Sequence, residues 1–190
     1  MLKYTKTVKN KLSLNSIEIE SFIDESSLNI DEITVKSFGD EWEKFNSFSN
    51  EEIKNAGDQY FDIVDKTILN KKTVALDAGC GSGRWSNYLS HKIKFIEAID
   101  PSKAIFFAKQ NNIKLKNVRF IHTDIDNIPF EDESFDFIFS LGVLHHIPDT
   151  KKALVELFKK LKNGGSMLIY LYYNCYSFVN GGLIVLQLFV

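Results

Sequence analysis

Residues 74–85 read VALDAGCGSGRW. An apolar run ends in an acid, Asp77, and glycines then stand at every second position, 79, 81 and 83, before the chain turns polar. This is the pattern of a short buried strand over 73–78, a tight loop, and a helix over 83–91. Glycines let such a loop adopt backbone angles closed to other residues and let a ligand approach the main chain. The helix that follows presents free N–H groups and a positive dipole end to a carboxylate or phosphate.

Downstream, strand and helix patterns alternate. FIEAID (95–100) reads as a second strand and PSKAIFFAKQNN (101–112) as a helix, with Pro101 where a first turn tolerates it. VRFIHTD (118–124) and SFDFIFSL (134–141) read as the third and fourth strands. Asp149 caps a helix DTKKALVELFKKLKN that stops at Gly164 and Gly165, and SMLIYLYY (166–173) is a fifth strand. Apolar strands alternating with helices predict an α/β chain, with strands one to five parallel in a doubly wound, Rossmann-like sheet covered on both faces. Neither an internal repeat nor a low-complexity segment interrupts this pattern.

Upstream, residues 1–36 are rich in Lys, Ser, Asn and Glu with weak periodicity, and are expected to form a loosely ordered arm. Over 37–70 the character changes. Phe38, Trp42, Phe45 and Phe48 step along one helical face, and Ser49 with Glu52 form a capping box before Ile53, Ala56, Tyr60, Val64 and Ile68. This predicts an N-terminal helical appendage that serves as core packing or as a lid, with the α/β unit filling 71–190.

Composition limits the partners. With 23 Lys plus Arg against 25 Asp plus Glu, the net charge of −2 supplies no pull toward nucleic acid or anionic lipid. The longest apolar run, LIVLQLFV (183–190), is far short of the roughly 20 residues that span a bilayer. Cys80 and Cys175 match no metal or disulfide spacing, and no secretory pattern follows the Lys-rich start. A cytoplasmic protein without a metal is the expectation.

A parallel sheet of this kind binds ligands beyond the carboxyl ends of its strands. A P-loop needs Gly-Lys-Ser/Thr, and Gly83 is followed by Arg84 and Trp85. A dinucleotide loop needs a third glycine where Arg84 stands, which disfavours a nicotinamide or flavin cofactor. D-x-G-x-G-x-G remains. Asp100, 23 residues after Asp77, ends the second strand where a carboxylate can accept from ribose hydroxyls. Asp124 and Ile125 follow the third strand as an acid and an apolar side chain suited to an adenine edge and face. The fourth strand runs into SLGVLHHIPD (140–149).

Taken in order, VALDAGCGSGRW, FIEAIDPS, FIHTDIDNIPFEDESFDFIFSLGVLHHIPD and LKKLKNGGSMLIYLYY resemble the class I S-adenosylmethionine-dependent methyltransferases over about residues 73–173. SFGDEWEKFNSF is similar to the lead-in of a bacterial subgroup with small-molecule acceptors. The resemblance implies methyl transfer from S-adenosylmethionine to a small molecule by in-line displacement. It implies that Asp77, Gly79 and Gly81 line the methionine half of the cofactor while Gly83 shapes the turn. Cys80, a small residue between two glycines, and Pro101 join that cofactor set. Asp100 would hold the ribose, Asp124 and Ile125 the adenine, and Ser140 and Leu141 would meet the methionine by main-chain atoms. His145 and His146 are the base candidates for a protonated acceptor; neighbouring side chains diverge, so at most one is expected to face the acceptor, and His145 is preferred. SLGV is not the Asn/Asp-Pro-Pro-aromatic motif of enzymes that methylate amino groups of DNA bases.

The pattern breaks at the end. Seven strands are usual in the family, and only 17 residues follow the fifth here. The expectation is a C-terminally shortened sheet lacking the sixth and seventh strands: either an unstable or inactive shortened chain, or one whose tail folds back as a helix or strand while a second copy of the chain covers the fifth-strand edge. The alternatives to an active methyltransferase are a truncated, catalytically silent S-adenosylmethionine-binding remnant and a nicotinamide-dependent oxidoreductase.

Overall fold

The computed structural model describes residues 1–23, 29–44, 49–172 and 183–189, with the side chains of 38, 41–44, 172 and 183–189 outside the description. The chain opens with a hairpin, β1 (Asn10–Leu14) and β2 (Ile17–Ser21). Asn15 and Ser16 turn it in two residues, both at positive φ (48° and 65°), the twist that a two-residue hairpin requires. Helices α1 (Glu32–Lys44) and α2 (Asn50–Tyr60) follow. Then come β3 (Val74–Ala78), α3 (Arg84–Ser90), β4 (Phe95–Asp100), α4 (Ala104–Asn111), β5 (Val118–His122) and β6 (Phe135–Leu141). Helix α5 (Thr150–Lys160), β7 (Leu161–Tyr172) and β8 (Leu183–Phe189) complete the order.

The strands form one sheet, ordered β1-β2-β5-β4-β3-β6-β7-β8. The five predicted core strands are β3 to β7, all parallel. Two expectations are corrected at the sheet's edges. The sheet does not stop at the fifth core strand: LIVLQLF (183–189) pairs antiparallel with β7 from Ser166 to Tyr172. An exposed apolar edge strand is a template for pairing, and here the apolar segment 183–189 takes up that row of N–H and C=O groups. The β7 edge therefore offers no row for a second copy of the chain to cover.

At the opposite edge, the expected loosely ordered arm over 1–36 is instead a docked hairpin. Ser21 pairs with His122 in parallel register, and Phe22 N–H donates to the His122 carbonyl (3.0 Å). Ahead of it, Leu2, Tyr4 and Val8 lie on the apolar cluster of one sheet face. Leu2 N–H donates to Glu97 Oε1 (3.2 Å), Arg119 Nη2 donates to the Leu2 carbonyl (2.8 Å), and the Arg119 guanidinium sits 4.3 Å over the Tyr4 ring. The boundary drawn at residue 36 falls inside α1.

The two faces of the sheet are covered differently. Helices α2, α3 and α4 close one face around Leu89, Ile105, Phe120 and Phe139; α5, Phe130 and the N-terminal strap close the other. The Ser49–Glu52 capping box forms as predicted. The helix it opens ends at Tyr60, before Val64 and Ile68. Asp65 accepts from Thr67 N–H (2.7 Å) and hydroxyl (2.8 Å) in a local turn that competes with helix, while Phe61 and Val64 turn into the core. Of the predicted aromatic stripe, Phe38 and Trp42 fall on α1 with their side chains outside the described residues, as Phe45 and Phe48 are entirely. Among the described residues no helix is long and apolar enough to cross a membrane.

Candidate active site

The strand order reverses at β3, whose neighbours are β4 on one side and β6 on the other. At that switch point the loop after β3 faces a cavity of about 390 Å³. Gly79 and Cys80 N–H groups both donate to the Ile99 carbonyl (2.9 Å each), and Gly83 N–H donates back to Cys80 (2.8 Å), which folds the loop on itself. Gly79 has φ +84°, and a Cβ there would lie 2.5 Å from Val143 Cγ1. Gly83 has φ +77°, and its Cβ would meet Asn112 Nδ2 at 2.8 Å. Only glycine satisfies both the angle and the space.

Asp100, at the end of β4, locks this loop to the next one. Its Oδ2 accepts from Gly81 N–H (2.8 Å), and its Oδ1 accepts from Ser102 N–H (2.8 Å) and hydroxyl (2.6 Å). Burial raises its pKa against the pull of these donors. Asp124 caps the short 3₁₀ turn 125–127 by accepting from Asn127 N–H (2.8 Å) and Nδ2 (3.1 Å).

Gly79, Cys80, Gly81, Asp100, Pro101, Asp124, Ile125 and Leu141 all line the cavity, as does His146. Four predicted residues do not. Asp77 is 1% exposed and accepts from the Ser86 hydroxyl (2.7 Å), bracing the loop from behind; burial first, then the Asp100 charge, pushes its pKa up to about 7. Ser140 is equally buried and donates to the Ala78 carbonyl (2.8 Å), tying β6 to β3. Gly83 packs away from the cavity. His145 stands off the wall while His146 lies on it, and the rings do not diverge as predicted: a 3₁₀ turn over 144–146 holds their centroids 4.0 Å apart. Burial lowers the pKa of His146, and the nearby Asp31 carboxylate opposes that shift.

Several wall residues escaped the sequence reading. Asn29, Ile30, Asp31, Thr34 and Val35 form a roof from the stretch read as an arm. Asn29 clamps that roof to the chain ahead of α5: Asp149 N–H donates to Asn29 Oδ1 (2.7 Å) and Asn29 Nδ2 donates to the Asp149 carbonyl (3.2 Å). Asp31 accepts from Ile33 and Thr34 N–H (3.1 and 3.3 Å) at the start of α1, an N-cap pattern that was available to sequence analysis. Arg84, Trp85, Tyr60 and Tyr170 close one end, the Tyr60 ring lying 4.9 Å from Trp85 and 5.1 Å from Tyr170.

Residues 76–169 match the methyltransferase domain family. An uncharacterized methyltransferase of Mycobacterium tuberculosis is 29% identical over 115 residues, covering 60% of this chain and 58% of that protein. A demethylmenaquinone methyltransferase of Staphylococcus aureus is 35% identical over 104 residues, covering 53% and 43%. The crystal structure of an S-adenosylmethionine-dependent methyltransferase from Aquifex aeolicus superposes with a TM-score of 0.51 at 26% identity, covering 70% of this chain and 79% of that one. The matches span about half the length of the two curated relatives. Over residues 76–169 the chain is thus similar to methyltransferase domains, and the relatives and the solved structure it matches are methyltransferases by name.

Proposed function

We propose that this protein binds S-adenosylmethionine in the cavity beyond β3, β4 and β5 and transfers its methyl group to a small-molecule acceptor. The observation that carries this reading is the ordered series of wall residues, glycine loop, Asp100, then Asp124 with Ile125, along one cavity.

The residues present suit the cofactor. The Ser82 hydroxyl in the glycine loop is buried beside the cavity without a hydrogen-bond partner among the described residues, and Arg84 is on the same wall; both match a methionine carboxylate. Asp100 accepts three hydrogen bonds of about four that a carboxylate can take, which leaves capacity for a ribose hydroxyl. Ile125 supplies an apolar surface for adenine, and Asp124 an acceptor at its edge. Asp77, Gly83 and Ser140 support these groups from behind. Helices α1 and α2 serve as a lid, since the start of α1 and Tyr60 at the end of α2 both reach the cavity.

S-adenosylmethionine, when bound, supplies a methyl group already activated by its sulfonium. The chain's work is then to orient the acceptor and exclude water. His146, neutral at physiological pH because burial lowers its pKa, accepts a proton from an acceptor that must lose one. It takes over the role predicted for His145 because it is the histidine on the wall. A small-molecule acceptor is favoured by the name of the Staphylococcus aureus relative and by the absence of the Asn/Asp-Pro-Pro-aromatic motif at 140–143. A cytoplasmic setting belongs to the same reading, Cys80 being a buried free thiol.

Calorimetric titration with S-adenosylmethionine and S-adenosylhomocysteine, beside Asp100→Ala, tests the cofactor. Binding that the substitution weakens about tenfold or more is expected for hydrogen bonds to a charged group. A folded chain that binds neither compound would overturn the reading.

A further inference from the structure

Pro101 lies on the cavity wall directly after Asp100 and, lacking an N–H, can be tied by its main chain only through its carbonyl. That carbonyl is 3.0 Å from His122 Nε2. A carbonyl only accepts, so Nε2 carries the proton. The other ring nitrogen, Nδ1, lies 2.8 Å from the Ser21 hydroxyl on β2. His122 is also where three strands meet: it pairs with Asp100 of β4 and with Ser21 of β2, and Phe22 N–H closes on its carbonyl. Burial lowers the pKa of the ring, and the bond to Pro101 and the Asp100 and Asp124 charges oppose that shift.

We propose that His122 is a positioning residue for the Asp100–Ser102 turn, and that the N-terminal hairpin, by holding His122 through Ser21, is a working part of the cofactor site. The connection runs from Ser21 to His122, to the Pro101 carbonyl, through the Ser102 N–H of the same peptide to the Asp100 carboxylate, and on to the Gly81 amide in the glycine loop. The proposal rests on the reading that Asp100 receives the cofactor, so its test has one readout that needs no ligand.

The full chain is compared as wild type, His122→Ala, His122→Gln and Ser21→Ala. S-adenosylhomocysteine is titrated into each, and amide hydrogen exchange is followed at Gly81 and Ser102, whose N–H groups the Asp100 carboxylate holds. Glutamine can place an amide N–H near the Nε2 position and restore the bond to Pro101. Removing the imidazole should weaken binding roughly tenfold, the scale of a hydrogen bond lost at a buried carbonyl, and speed exchange at Gly81. Glutamine should recover most of both, and Ser21→Ala should fall between. Binding within twofold of wild type and unchanged Gly81 exchange in His122→Ala would overturn the proposal, and so would a glutamine variant as impaired as alanine. If the wild type binds no S-adenosylhomocysteine, the cofactor reading fails, and the Gly81 amide alone decides whether His122 sets the turn.

Discussion

A buried carboxylate and a glycine show how single residues behave at this site. Asp77 is enclosed, and burial outweighs the hydrogen bonds from Ser86, so its folded pKa of about 7 stands above the unfolded value of 3.8. A raised acid pKa contributes stability that is complete below the unfolded pKa and lost as pH rises through the folded one. Asp77→Asn keeps an oxygen to accept from Ser86 and removes the titration. Urea denaturation should therefore show the variant gaining on wild type by about 2 kcal/mol between pH 5 and pH 8; a constant difference would show that Asp77 does not titrate in that window. Gly79 is the other decisive residue. Gly79→Ala forces a Cβ onto Val143 at a positive φ, and we expect a folded but weakened protein with S-adenosylhomocysteine affinity down by more than tenfold, read by calorimetry. Wild-type affinity would mean that the loop can move aside. Asp77, Asp100 and the three glycines were legible in the sequence because their spacing is local. Which of them face the cavity was not legible, since that depends on where Ser86 and Val143 pack.

At the scale of elements, α2 presents a contest between propensity and packing. Alanine is better than glycine inside a helix by about 1 kcal/mol, which alone would make Gly57→Ala stabilising. A Cβ at Gly57, however, would lie 2.4 Å from the Tyr88 ring, and that ring is held by its hydroxyl to Asp58 (2.7 Å) and stacked on Phe61. Overpacking of this kind costs about 1–3 kcal/mol, so the substitution should lower the thermal midpoint; a higher midpoint would show that α2 shifts freely on α3. At the start of the same helix, Ser49→Ala removes the hydroxyl that accepts from Glu52 N–H (3.2 Å), while the backbone N–H that donates to Glu52 Oε2 stays, and should cost about 1 kcal/mol in chemical denaturation. The core strands and the helices between them were readable because their apolar runs are continuous and their breakers sharp. The hairpin β1–β2 was not, because its Lys, Ser and Glu residues hide a weak alternation that acquires meaning only beside β5.

For the whole molecule, the telling contact is the pair between Arg119 and Glu97, opposite each other on neighbouring strands. Arg119 donates twice to a Glu97 side chain that has no solvent exposure (2.7 and 2.6 Å), while both residues also bond the main chain of Leu2. Arg119→Ala would leave a buried carboxylate without its partner and release the strap that covers one sheet face. A loss of about 3–5 kcal/mol is expected, measured by denaturation, together with faster proteolysis within residues 1–9. A loss under 1 kcal/mol would mean that the strap contributes little.

The sequence by itself determined the alternating core from β3 to β7, the loop that bends after β3, and the series of acids at successive strand ends. Each of these is written in short-range spacing, where steric freedom of glycine and burial of apolar runs act over a few residues. Tertiary structure alone decided that the first 22 residues complete one edge and one face of the sheet, that the apolar segment 183–189 completes the other edge, that the roof over the cavity comes from residues 29–35, and that His146 is the histidine on its wall. Those outcomes depend on contacts between residues far apart in the chain, such as Ser21 with His122, Asn29 with Asp149, and Leu2 with Glu97. Their energy appears only once the sheet has formed to receive them.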